Sequence, residues 1–395
     1  MISFDEAVVL VLAEARPLPP QTVPLERCED RVLAADLRAR GDAPRTAVSA
    51  MDGYAVRDAD IAALPARLPV AGRVFAGRAE VPALAPGACA RIFTGAPVPD
   101  GAERVVVQEI VRQEGGEAVF TTPPGAGRNI RPAGSDFRVD AVLLTAGTRL
   151  CPRAMVVAAA ADSAQLSVVS RPRVAILGTG DELAEPGQAS ETPGAVPESV
   201  SFGVAALARR YGGEVVARRR LADAPAELEA AAREALERAD VIVTTGGASV
   251  GEKDFAKAMF AGMDLELAFS KVAIKPGKPV WFGRVGRRLV LGLPGNPTSA
   301  MVTARLFLAP LIAGMAGRDP SATLAWRDAL LAEPLKASGD RETFDRARLV
   351  GDAVVSLENQ DSGAQKALAA ADALIRRRPG HPPLQPGREV AVLDF

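Results

Sequence analysis

The sequence holds a single histidine, His381, set in the Pro/Gly-rich stretch RRRPGHPP. That scarcity excludes Ser-His-Asp and Cys-His catalysis and every multi-histidine metal centre. Cysteine is nearly as scarce. Cys28, Cys89 and Cys151 are scattered without metal-ligand spacing, which argues for a reducing compartment and against zinc. An excess of one charge is also missing: 47 basic against 48 acidic side chains leave a formal net charge of −1 and no basic footprint for nucleic acid. No apolar run approaches the ~20 residues that span a bilayer, so no membrane partner is expected. The opening MISFDEAVVLVLAEA carries acids where a signal peptide carries basic residues. Its Ser3-x-x-Glu6 capping box reads as the start of an ordinary amphipathic helix. These absences predict a cytoplasmic, enzyme-like chain whose chemistry rests on carboxylates, lysines, a bound metal and backbone donors.

What is present is a multidomain α/β pattern. A length of 395 residues suggests about two to four domains. From Gly41 to about Asp140 the chain is rich in Gly, Pro and Val, with short alternating runs such as LPVAGRVFAG, ARIFTG and ERVVVQEIVRQ, and reads as an all-β insert. The helical run CPRAMVVAAAAD follows. From Arg171 strands alternate with helices, including SFGVAALARRYGG, APAELEAAAREALERA and the long apolar PTSAMVTARLFLAPLIAGMAG with Pro at its start. That alternation predicts a parallel sheet with helices on both faces. After Gly317, FDRARLV, ALIRRR and EVAVLDF suggest a small β-barrel or sandwich.

Four Gly- or Pro-rich motifs each follow an apolar run. VAIL leads into Gly178-Thr179-Gly180-Asp181-Glu182, and DVIV into Thr244-Thr245-Gly246-Gly247-Ala248-Ser249-Val250-Gly251 with Asp254 beyond. KVAI (Lys271–Ile274) leads into Lys275-Pro276-Gly277-Lys278-Pro279, and LVLGL into Pro294-Gly295-Asn296-Pro297. In an open parallel sheet, ligands bind beyond the carboxyl ends of the strands. Glycines admit an anion to backbone N–H groups, and Lys271, Lys275 and Lys278 neutralise it. Glu182, Asp223 and Asp254 each follow a predicted strand and would repel a phosphate unless a cation lay between them, which suits magnesium. The residues therefore predict a site for a phosphorylated substrate with Mg2+. Asp181 and Asp223 also suit helix N-caps. The insert adds three polar islands: SAMDGYA around Asp52, Thr94-Gly95-Ala96-Pro97, and GRNIRPAGSD with Arg131 and Asp136. Asp52-Gly53 and Asp100-Gly101 are hairpin-turn dipeptides. Met51 and Tyr54 beside Asp52 exceed what a turn needs.

SAMDGYAVRDAD, IFTGAPVPDGA, GRNIRPAGSD, GTGDEL, TTGGASVGEKD, KPGKP and GLPGNP together resemble the molybdopterin molybdenumtransferase family, which includes the C-terminal domain of gephyrin. The motifs stand in the family's order over nearly the whole chain. The resemblance implies four parts: a molybdopterin-binding α/β domain with a parallel-type sheet (1–20 and 171–318), an elongated linking segment (21–44 and 140–170), a β insert (45–139) and a C-terminal β-barrel (319–395). It implies a homodimer whose cleft joins the α/β domain of one subunit to the insert of the other. It also implies the reaction, in which adenylyl-molybdopterin and molybdate yield molybdenum cofactor and AMP with magnesium. On this reading Asp52, Asp136, Glu182 and Lys275 are catalytic. Thr94, Arg131, Thr179, Gly246, Gly247, Ser249, Gly251, Lys271, Lys278, Pro294, Asn296, Arg346 and Ser362 bind substrate, and Glu182, Asp223 and Asp254 hold the metal.

Three positions depart from the family's pattern. Gly178 replaces the Ser of STGDEL, Ser135 stands where GED has Glu, and Glu198-Ser199-Val200 replaces Asp-Ser-Asn. Val200 removes an amide donor and acceptor near the expected pocket. Two other readings use the same residues: a molybdopterin adenylyltransferase, which needs neither insert nor barrel, and a non-catalytic molybdopterin-binding scaffold or paralogue.

Overall fold

Period-2 alternation along the apolar runs builds the larger sheet. Val174, Ile176, Val241, Val243, Leu289 and Leu291 enter one apolar cluster, while Ala175, Leu177, Ile242 and Val290 enter another on the opposite face. Helices cover both. Val200–Arg210, Phe4–Glu14 and the helical run from Pro297 pack on the first face, and Pro225–Arg238 on the second. The strands lie in the order Glu214–Leu221, Arg173–Thr179, Val241–Thr245, Arg288–Leu293, Trp281–Val285, Leu265–Phe269. The first four are mutually parallel and the last two pair antiparallel. The Ser3–Glu6 capping box forms as expected, with Ser3 N–H donating to Glu6 Oε2 at 2.8 Å.

The computed structural model describes residues 1–78, 80–246 and 255–395. One compact unit comprises Met1–Val23, Asp30–Ala34 and Ser167–Phe395; a second comprises Pro24–Glu29 and Ala35–Leu166. In the first unit, Arg327–Leu331, Glu342–Val350, Ala353–Ser356, Ala373–Arg377 and Glu389–Asp394 close on themselves as a five-stranded barrel, through the pairing of Glu342–Val350 with Ala373–Arg377. The second unit carries a six-stranded sheet in the order Arg104–Val107, Gly53–Val56, Cys89–Ile92, Ala66–Val74, Glu117–Phe120, Val111–Glu114. Cys28, Cys89 and Cys151 are free thiols, and burial pushes the Cys89 thiol up to about 12.

Four expectations need correction. KVAI is not a strand of the parallel sheet: Val272 bridges to Ile2, and Ile274–Lys275 pairs with Glu342–Val350 of the barrel. The sheet edge it would extend is already taken by Leu265–Phe269. Asp52-Gly53 is not a hairpin turn, because Gly53–Val56 pairs with Cys89–Ile92 and Arg104–Val107 and not with the strand before it. Tyr54 belongs to the core, 4% exposed and packed edge-on against Phe120, so its presence beside Asp52 is a packing requirement. Finally, Pro297–Met315 is long and apolar enough to cross a bilayer, with mean hydropathy 1.4, yet 94% of it is buried inside the unit as a core helix.

Candidate functional site

In the first unit, three turns meet beyond the carboxyl ends of adjacent parallel strands. Gly246 has φ +91°, and a Cβ there would lie 2.3 Å from the Thr179 carbonyl oxygen. A Cβ on Gly295, which follows buried Pro294, would lie 3.2 Å from Gly246 Cα. Only glycine lets these backbones approach so closely. Gly246→Ala is therefore expected to cost about 1–3 kcal/mol from backbone strain alone, read as a lowered urea midpoint. An unchanged midpoint would show the approach to be slack.

The acids sit on the flanking loops. Asp181 Oδ1 accepts from the Asp223 N–H at 2.9 Å, tying the loop after Arg173–Thr179 to the loop after Glu214–Leu221. Neither acid caps a helix: Pro225–Arg238 begins at Ala224 with no side-chain cap. Glu182 is exposed beside Asp181, and its carbonyl accepts from Val196 N–H at 2.7 Å. Among the described residues, no three His, Cys, Asp or Glu side chains gather closely enough to hold a metal. Asp254 lies outside the described residues, as do Gly247, Ser249 and Gly251.

Barrel and sheet both contribute polar groups. Asn296, at the head of the Pro297–Thr303 helix, donates through Nδ2 to Ser362 Oγ at 3.0 Å, and Thr298 N–H donates to the Ser362 carbonyl at 3.1 Å. Arg346 is fully buried and does not present its guanidinium to solvent. Nη1 donates to the Asp361 carbonyl at 3.1 Å, Nη2 to the Asn359 carbonyl at 3.3 Å and Nε to Gln360 Oε1 at 3.2 Å. It shapes the loop that carries Ser362.

The lysine turn is pinned by Gly277 (φ +103°), where a Cβ would lie 2.2 Å from Thr303 Cγ2. Lys275 and Lys278 are exposed and Lys271 is half-buried. Lys275 lines a hollow of about 190 Å³ with Asp345, Gln360 and Arg377. The sequence reading missed Asp345, which neighbours Arg346 in the same FDRA motif. It is buried, and Arg377 Nε donates to its Oδ2 at 2.6 Å. Burial pushes its carboxyl up, against the pull of Arg377 and Lys275.

Val200 opens the Val200–Arg210 helix as part of the apolar core. The neighbouring Glu198 accepts from Ser201 N–H at 2.8 Å and pairs with Arg218 at 3.3 Å. Where the family pattern places an amide, this chain builds an apolar wall.

In the second unit, Asp52 Oδ1 accepts from Thr94 N–H at 2.7 Å and Thr94 Oγ1 at 2.8 Å. Those two bonds, the amide first, hold its carboxyl below the usual range, with a smaller contribution from Arg91. Gly53 must be glycine, because a Cβ would lie 2.1 Å from the Val106 carbonyl oxygen. Arg91 Nη1 donates to the Gly53 carbonyl at 2.9 Å and stacks over Tyr54 and Phe93. Arg131 stands opposite Val48 in a short antiparallel pair, and Asp136 N–H donates to the Ala43 carbonyl at 3.0 Å; both side chains are exposed. Asp52 and Thr94 are thus joined, and Arg131 stands on a nearby strand of the same unit, whereas Glu182, the lysines, Asn296 and Ser362 belong to the other.

Three family models match the chain: "MoeA N-terminal region (domain I and II)" over residues 2–161, "Probable molybdopterin binding domain" over 175–314, and "MoeA C-terminal region (domain IV)" over 328–395. A molybdopterin molybdenumtransferase from Synechococcus elongatus is 38% identical over 375 residues, which is 92% of each chain. The chain belongs to the molybdopterin molybdenumtransferase family. A second member, from Haemophilus influenzae, is 36% identical over 88% of this chain and 85% of its own. The crystal structure of a molybdopterin biosynthesis MoeA protein from Pyrococcus horikoshii superposes with a TM-score of 0.84 at 29% identity, over 100% of this chain and 99% of that one. The family match runs through the β insert and the barrel, which a stand-alone adenylyltransferase does not need.

Proposed function

We propose that this transferase of molybdenum cofactor biosynthesis takes adenylyl-molybdopterin and molybdate and yields molybdenum cofactor and AMP. The observation that carries this reading is the convergence of the Gly180, Gly246 and Gly295 turns beside the Asn296–Ser362 pair. Glycine turns there leave room for a pterin phosphate against backbone, and Lys271, Lys275 and Lys278 supply positive charge for phosphate or molybdate. Asp52, held as a carboxylate by Thr94, orients the reacting group or accepts a proton; its depressed pKa makes it a poor donor at neutral pH. Asp136 adds a second exposed acid from the same unit.

Magnesium takes one or two carboxylates beside phosphate oxygens and waters, and Glu182 and Asp223, on two loops linked through Asp181, supply oxygen ligands of that kind. Glu182, Asp223 and Asp254 would hold it, and when bound it screens phosphate charge. We also read the chain as the four parts set out from its sequence, working in the cytoplasm. AMP release should rise with molybdate and saturate. Lys275→Ala and Lys278→Ala should each raise the half-saturating molybdate concentration about tenfold or more, by loss of a charged contact. Unchanged titrations in both would remove the lysine turn from the site.

The working unit on this reading is a homodimer, in which Asp52 and Asp136 of one subunit serve the lysines and acids of the other. Asp52→Asn mixed with Lys275→Ala should then regain activity that neither has alone, since a hybrid dimer keeps one intact site. Light scattering should give about twice the chain mass of 41.1 kDa. A fully active monomer would refute the shared site.

A further inference from the structure

A groove of about 440 Å³ runs beside the Val200–Arg210 helix, bounded by the Pro297–Thr303 helix, its π-helical continuation Ala304–Leu308, and residues from Gln365 to Phe395. That volume lies in the range of small-molecule sites. Its walls are mainly apolar, with Val200, Leu207, Met301, Leu368 and Phe395 among them. The charged side chains that line it are Arg210 and Arg305, and no Asp or Glu side chain does so. Ser199, Pro297 and Gln365 lie on the side nearest the Asn296–Ser362 pair.

Arg305 is the unusual member. It is the only charged residue of the Pro297–Met315 helix and is 5% exposed. Nε donates to the Asp394 carbonyl at 2.7 Å, and the guanidinium lies 5.5 Å from the Tyr211 ring centre. Nη1 is buried without a hydrogen-bond partner, and Asp394 attracts the guanidinium through space without forming an ion pair among the described residues. A buried cation is costly unless an anion or a full set of acceptors meets it. The π-turn around Arg305 needs no ligand to explain it. Pro310 lacks the N–H that would bond to the Leu306 carbonyl, and its ring displaces that carbonyl. The unmet Nη1 has no such explanation.

We propose that this groove binds a small apolar carboxylate, its anionic head on Arg305 and its body along Leu207, Met301 and Phe395. The fit is one of chemistry. A guanidinium favours a carboxylate, and the surrounding wall rewards apolar area in place of further polar groups.

The test is calorimetry on the full chain with four probes. Octanoate supplies both head and body, octanol the body alone, acetate the head alone, and octylamine the opposite charge. Octanoate should bind, octanol about tenfold or more weakly, and acetate and octylamine not measurably. Arg305→Met should lose the preference for octanoate over octanol. Ala206→Phe, at an exposed position lining the groove, should block both while leaving Arg305 in place. If Arg305→Met fails to fold by circular dichroism, Ala206→Phe decides alone. Octanoate binding that survives Ala206→Phe unchanged would mark an adventitious additive only and overturn the site. No octanoate binding to the wild-type chain would mean that the charge of Arg305 is met from within the chain, and would equally overturn it.

Discussion

Asp52→Asn is expected to leave the fold intact while lowering cofactor formation by about 10²–10⁴-fold, the range for losing a positioned acid–base group. Asp52 Oδ1 accepts both bonds from Thr94. An asparagine carbonyl oxygen can accept the same two bonds, so the loop should hold. What changes is the second oxygen, which becomes a donor and can no longer accept a proton or a ligand hydrogen. The pH dependence follows from the depressed pKa. Asp52 is ionised above its ordinary value of 3.8, and its contribution is lost only as pH falls through the lower folded value. Wild-type turnover should therefore show no acid limb from Asp52 above about pH 4. Thermal unfolding alongside product formation separates the two roles. An Asp52→Asn enzyme with normal activity and normal stability would reduce the residue to a loop brace.

Arg346→Met should destabilise the first unit by about 2–3 kcal/mol and lower molybdate-dependent turnover with it. The guanidinium fills a fully buried place and bonds to the Asn359 and Asp361 carbonyls and Gln360 Oε1. Methionine matches the aliphatic stem but lacks the guanidinium, and so leaves those acceptors unmet. Ser362, next to Asp361, would then lose the support that keeps its hydroxyl against Asn296. Arg346→Lys should not rescue, because a single ammonium cannot serve three acceptors fanned around a planar fork. Denaturant titration gives the stability and a molybdate titration gives the function. A variant as stable as wild type would show that this side chain is not what shapes the loop.

The parallel sheet was legible because Val174–Leu177, Asp240–Val243 and Leu289–Leu293 are short, mainly apolar runs that each lead into a Gly- or Pro-containing turn, and period-2 burial then serves both faces. Lys271–Ile274 carries the same signal and misleads, since apolar content does not say which sheet edge is free. Tyr54 misled in the opposite direction: an aromatic beside a conspicuous acid looked functional, but the core beneath the insert claims it. Contacts across long separations had no local signature. The Asn296–Ser362 bond spans 66 residues and the Asp345–Arg377 pair 32, so neither could be read from spacing. Arg346 was visible as a motif residue, yet its inward orientation depends on a loop that only the closed barrel brings to it. Arg305 gave no signal at all, because one arginine in a long apolar helix looks like an ordinary solvent contact.

AMP release from adenylyl-molybdopterin, measured with and without molybdate and without ATP, tests the assignment most directly. With magnesium present, the purified protein should release AMP only when molybdate is added, in step with molybdenum cofactor formed. Molybdate-independent, ATP-consuming adenylylation of molybdopterin, or no turnover under either condition, would sink the transferase reading.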